Sequence, residues 1–113
     1  MKIITICGSL KFKNEMLKVA RKLTIAGDLV ITPIFPINDN DKITEEEKNI
    51  FDSAHKEKIK LSDAIFVVNV NGYIGESTKN EINYAKSLNK EILYLEWNKI
   101  FSQIYMRFGY FVV

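Results

Sequence analysis

Two short segments of this chain hold side chains that can do chemistry. The first is Cys7-Gly8-Ser9-Leu10-Lys11. A glycine lets the backbone turn sharply out of a strand. Ser9 can cap a following helix, whose free N–H groups favour an anion, and Lys11 adds a mobile positive charge. The same residues also suit a plain strand-to-helix turn with a serine cap. They form neither a Walker loop nor a dinucleotide fingerprint, because the Gly-x-x-x-x-Gly-Lys spacing and a second glycine are missing. The second segment runs from Asn69 to Glu81 and carries Gly72, Gly75, Glu76 and Ser77. Glycines, amides, hydroxyls and carboxylates gathered at the end of an apolar stretch point to a ligand. Glu81 lies four residues before Ala85 and seven before Leu88, at the edge of the stripe Ile82, Ala85, Leu88. It is therefore expected to face a crevice instead of bulk water. The local alternative is that Thr78-Lys79-Asn80-Glu81 is a capping box, with Glu81 at the third helical position.

His55 is the sole histidine and lies four residues before Ile59, at the edge of an inward helical face. Packing, or a hydrogen bond to a ligand, are its two readings. One cysteine and one histidine argue against a metal site, so neither metal nor cofactor is expected. Cys7 ends an apolar stretch and reads as core more than as a nucleophile. Asp63 reads as a turn residue on the side away from the crevice.

The elements that must position these groups alternate in a regular order. Residues 2–7 form a short β-branched strand, and Phe12, Met16, Val19, Ala20 and Leu23 follow at helical spacing, closed by Gly27. Residues 29–32 are a second strand, and 33–41, with two prolines and an Asn-Asp-Asn-Asp run, a surface loop. Thr44-Glu45-Glu46-Glu47 is a capping box opening a helix that reaches about Leu61. Residues 64–70 are the strongest strand. A helix over about 78–88, stopped by Asn89, and a strand over 92–95 complete the series. From Trp97 a helix to about Phe108 is expected, with 110–113 as a candidate fifth strand. Continuous apolar strands alternating with helices predict a parallel sheet covered on both faces. Right-handed crossovers favour the order 2-1-3-4, a three-layer α/β sheet of the flavodoxin-like or Rossmann-like kind. Ligands in such sheets bind at the carboxyl edge where the order reverses, here just after Cys7 and just after Val70.

Composition narrows the function classes. The 113 residues suit one domain over 1–113, with 47% apolar and 27% charged residues. The net charge of +2 is too balanced for a dedicated binder of nucleic acid polymers. It is unevenly spread, at +4 over residues 1–37, −3 over 38–63 and +1 over 64–113. Apolar runs are far too short to span a membrane, the first residues do not form a signal peptide, and a cytoplasmic home is the default. Tyr105, Phe108, Tyr110 and Phe111 either pack on the sheet or form a subunit interface, and a homodimer or higher homo-oligomer is expected.

Taken together, the two loops resemble the nucleoside 2-deoxyribosyltransferase superfamily over roughly residues 2–96. Cys7-Gly8-Ser9 is similar to the phosphate loop of the 2′-deoxynucleoside 5′-monophosphate N-glycosidase branch. Gly75 through Glu81 to Ala85 is similar to the family's turn into a nucleophilic glutamate followed by a small residue one turn on. The run from Gly72 to Thr78, with His55 ahead of Ser62-Asp63, looks like a poorly characterised bacterial and phage-borne subgroup. The resemblance implies that Glu81 attacks the anomeric carbon of a deoxynucleoside, displacing the base and forming a glycosyl-enzyme ester. A helix N-terminus would keep that carboxylate ionised. No metal or organic cofactor is implied. Three positions depart from the family pattern. Ile6 or Cys7 stands where a tyrosine orients the nucleophile, His55 where an aspartate contacts the base, and Gly75 where an aspartate or serine stands.

Two classes of function follow. One is cleavage or transfer at the N-glycosidic bond of a nucleoside or nucleotide, tilted toward a 5′-phosphorylated substrate by Gly8, Ser9 and Lys11. The other is a binding module for a nucleotide without turnover. An NAD-cleaving activity is a weaker third option.

Overall fold

The computed structural model describes residues 1–96, 105–107 and 110–112. Its four parallel strands are β1 (Ile3–Gly8), β2 (Leu29–Ile31), β3 (Ala64–Val68) and β4 (Glu91–Tyr94), in the order β2-β1-β3-β4. The helices are α1 (Lys13–Ile25), α2 (Glu45–Leu61) and α3 (Glu76–Ser87). The expected order therefore holds, and β1 and β3 lie side by side at the point where it reverses.

Side-chain alternation along the strands divides the core into two layers. Ile4, Ile6, Ala64, Phe66, Val68 and Leu93 face α1, where Met16, Val19 and Leu23 cover them. Cys7, Ile65, Val67, Ile92 and Tyr94 face the opposite way, against Ile59 of α2 and Ile82 and Ala85 of α3. β3 is buried along its whole length, which is why its sequence shows no polar alternation.

The helix ends follow local chemistry. Thr44 and Glu47 form the expected capping box on α2. Gly27, at φ +103°, ends α1 with the N–H of Asp28 donating to Leu23 and its own N–H to Thr24. Asn89 ends α3 in the same way at φ 57°.

Some expectations need correction. The strand expected to reach Val70 stops at Val68, and residues 70–72 form a 3-10 turn with Asn71 at φ 55°. The buried Asn69 amide explains the change. It donates to the Glu96 carbonyl at 3.0 Å and accepts from the Glu96 N–H at 2.9 Å, replacing a strand pair with a side-chain staple. The helix expected to about Phe108 is not formed at 105–107. Those residues are β5 (Tyr105–Arg107), paired antiparallel with β6 (Tyr110–Val112), which extends the sheet beyond β4. β-branched and aromatic residues suit a strand beside a free edge better than a solvated helix. The remaining residues of 97–113, and the side chains of β5 and β6, lie outside the described residues. So does the expected aromatic interface.

Candidate functional site

A cleft of about 420 Å³ opens at the carboxyl edge between β1 and β3, a volume suited to a small molecule. The β1 loop contributes Gly8, Ser9 and Leu10, and the chain after β2 contributes Pro33, Ile34 and Ile43. From α2 come Lys48, Phe51, Asp52 and His55, which share one helix face at spacings of three and four residues. Tyr73, Gly75, Glu76, Ser77, Thr78 and Glu81 supply the remaining wall.

Gly8 is needed where it stands. A Cβ there would lie 3.0 Å from both the Met16 Cε and the Val68 carbonyl oxygen. Met16 can shift, but the Val68 carbonyl belongs to the central strand. Gly8→Ala is expected to cost about 1–3 kcal/mol of stability, as overpacked positions do. A urea melt showing less than a few tenths of a kcal/mol would contradict this packing.

The loop after β1 differs from the expected cap. Ser9 precedes a 3-10 turn over Leu10–Phe12 and makes no side-chain cap bond, while α1 begins only at Lys13. The helix N-terminus that lines the cleft belongs to α3, whose first turn, Glu76 to Thr78, follows Gly75. Lys11 does not line the cleft, since its ammonium sits over the Tyr73 ring at 3.5 Å. The lysine in the wall is Lys48, which the loop motif could not indicate. Asn69 and Gly72 are also outside the lining, Asn69 because its amide is committed to Glu96. Gly8, Ser9, His55, Gly75, Glu76, Ser77 and Glu81 all line the cleft.

α3 starts at Glu76, so Glu81 is the sixth helical residue and caps nothing. The capping-box alternative therefore falls. Glu81 instead sits low in the cleft beside His55 and Cys7. The Cys7 thiol lies 3.4 Å from His55 Nε2. His55 Nε2 lies 3.8 Å from Glu81 Oε1. Burial raises the Glu81 carboxyl to about 7, with Asp52 adding to the rise and the Cys7 hydrogen bond and Lys56 opposing it. The expectation of a carboxylate kept ionised by the helix terminus is thus corrected, because desolvation dominates six residues into the helix. Burial also lowers His55 to about 4, helped by Lys58 and opposed by Asp52. At neutral pH the imidazole is uncharged, so its contact with Glu81 is not an ion pair despite the distance. Burial first, and then Glu81, push the Cys7 thiol well above its ordinary range. It stays protonated and is no nucleophile.

His55 Nδ1 is buried with no hydrogen-bond partner among the described residues. The position of α2 along β1 is set by a second polar contact. Thr5 and Ser62 place their hydroxyls 2.6 Å apart, one donating to the other, and the Lys58 carbonyl lies within reach of both to accept from the second. Asp63 accepts from the Ile3 N–H at the amino end of the sheet, away from the cleft as expected.

No protein-family model matches this chain, and no curated relative matches it. Among solved structures, the CMP N-glycosidase BcmB of Clostridium botulinum is similar, with a TM-score of 0.54 and 18% identity. The match covers 82% of this chain and 67% of that one. At that identity the likeness establishes the shared α/β fold. No helix among the described residues is long and apolar enough to cross a membrane.

Proposed function

We propose that this protein cleaves or transfers at the N-glycosidic bond of a nucleoside or nucleotide, with Glu81 as the nucleophile. The observation that carries the reading is a half-buried carboxylate lining a small-molecule cleft at the switch point of the sheet. The fold shared with a CMP N-glycosidase supports it. A Glu81 oxygen would bond to the anomeric carbon as the carbon–nitrogen bond breaks, its electron pair leaving with the base. Water, or a second base, would then displace the carboxylate from the sugar. In this reading Phe51 would supply flat apolar surface for a base, and Gly8, Ser9, the first turn of α3 and Lys48, all of which line the cleft, would hold a 5′-phosphate. The test is incubation with a panel of nucleosides and their monophosphates, with chromatography for free base. Release of no base from any member would remove the catalytic reading.

Lys48→Ala is expected to weaken binding of a nucleoside monophosphate roughly tenfold, about 1.4 kcal/mol, while leaving the nucleoside itself unaffected. Lys11→Ala is expected to change neither. Calorimetric titration of both ligands decides this, and equal losses for phosphorylated and unphosphorylated ligands would refute it.

A second reading is nucleotide binding without turnover. The observation favouring it is the burial that raises Glu81 to about 7, since a protonated carboxyl is a poor nucleophile. Binding without base release across the panel would select it. Cytoplasmic residence and homo-oligomerisation, with residues 105–111 at or near the interface, belong to the same proposal. Light scattering is expected to give at least a dimer, and a monomer at high micromolar concentration would overturn that part.

A further inference from the structure

Three donor groups of different chemistry converge at the cleft wall, His55 and Glu81 lining it and Cys7 buried against them. Cys7 Sγ and His55 Nε2 are 3.4 Å apart, and His55 Nε2 and Glu81 Oε1 are 3.8 Å apart. One atom from each of the three residues lies within 4.8 Å of the others. A tetrahedral ion bonded at about 2.3 Å to sulfur and about 2.0–2.1 Å to nitrogen and oxygen holds its donor pairs roughly 3.3–3.6 Å apart. The two pairs lie close to this range, and the Cys7–Glu81 pair, held within 4.8 Å, closes toward it as the ion binds. We propose that Cys7, His55 and Glu81 form a binding site for a divalent transition-metal ion of the zinc class, with a fourth position open to the cleft.

The donor set favours this class of ion. Binding of the ion releases the Cys7 thiol proton to solvent, and the resulting thiolate, with imidazole and carboxylate, suits zinc and its transition-metal neighbours, whereas magnesium and calcium take oxygen ligands. The three residues come from β1, α2 and α3, packed against one another, so the site is assembled by the fold and not by a loop. His55 is 6% exposed, and Cys7 is fully buried behind it. His55 and Glu81 line the cleft while Cys7 does not, which leaves the cleft side for a water or another ligand. Among the described residues no lysine or arginine makes an ion pair with Glu81, although the charge of Lys56 reaches it and Lys48 stands in the same wall, and the carboxylate of Asp52 adds negative charge there. Counting cysteines and histidines along the sequence misses such a site, because the chain has one of each.

Metal binding here stands without the proposed activity. Inhibition rests on that activity, since an ion holding Glu81 would block its attack on a sugar. The test is titration of the untagged, chelator-treated chain with Co²⁺. One equivalent is expected to produce a thiolate-to-cobalt charge-transfer band and tetrahedral ligand-field bands, both lost on adding Zn²⁺. Cys7→Ser should remove the charge-transfer band. His55→Gln and Glu81→Gln should each weaken Co²⁺ binding at least ~10-fold. Circular dichroism checks that each variant is folded, and the near-isosteric Cys7→Ser keeps the test decisive if His55→Gln unfolds. Absence of the charge-transfer band in folded wild type, or its persistence in Cys7→Ser, would overturn the site. Base release is measured separately on the metal-free chain. Cobalt binding without base release removes the activity and leaves the site, while base release without cobalt binding does the reverse.

Discussion

Glu81→Gln is expected to lower base release from a deoxynucleoside monophosphate by on the order of 10⁴-fold or more, with nucleotide affinity nearly unchanged. Glutamine keeps the shape of the side chain but has no charge with which to attack an anomeric carbon. The structure sharpens the outcome. Glu81 is the sixth residue of α3, so the substitution removes no helix cap, and no capping loss of about 1 kcal/mol should appear. The carboxyl is also half-buried beside an uncharged imidazole, where a neutral amide avoids desolvating a charge. The melting temperature should therefore hold or rise while turnover disappears. Product formation and melting are measured on one preparation. Undiminished base release by the glutamine variant would exclude Glu81 as the nucleophile.

Phe66→Ala is expected to cost about 3–5 kcal/mol. This is a large part of the roughly 5–15 kcal/mol that holds a typical domain together. Phe66 is fully buried at the middle of β3, on the face shared with Ile4, Ile6, Met16 and Leu93. β3 is paired on both sides, by β1 and β4, so neighbouring backbone is poorly placed to close the gap. At roughly 4 °C per kcal/mol for a chain of this length, melting should fall by about 12–20 °C. Leu17→Ala is the matched control. Leu17 is equally apolar but 46% exposed on α1, and its loss should stay within about 0.5 kcal/mol or little more. Similar losses for the two variants in urea denaturation would contradict the described core.

The framework was legible in the residues alone. Continuous apolar β-branched runs at residues 3–7 and 64–68 require burial on both faces, and the helical stripes between them require crossovers. Chirality then leaves the order β2-β1-β3-β4 and places the Gly8 and Gly75 loops at one edge. Local signals such as the Thr44–Glu47 box, Gly27 and Asn89 act through neighbouring backbone and were readable for that reason. Packing settled what depends on residues far apart in the chain. The start of α3 at Glu76, and so the place of Glu81 inside the helix, could not be separated from a capping box by spacing alone. Lys48 enters the cleft wall and Lys11 leaves it because α2 packs beside the opening while Tyr73 holds the Lys11 ammonium. Asn69 is withdrawn by Glu96, 27 residues further on. Cys7, His55 and Glu81 lie on three separate elements and meet only when α2 and α3 dock side by side on β1. Their proximity and shifted protonation arise from burial, a property that no single segment possesses until the layers close.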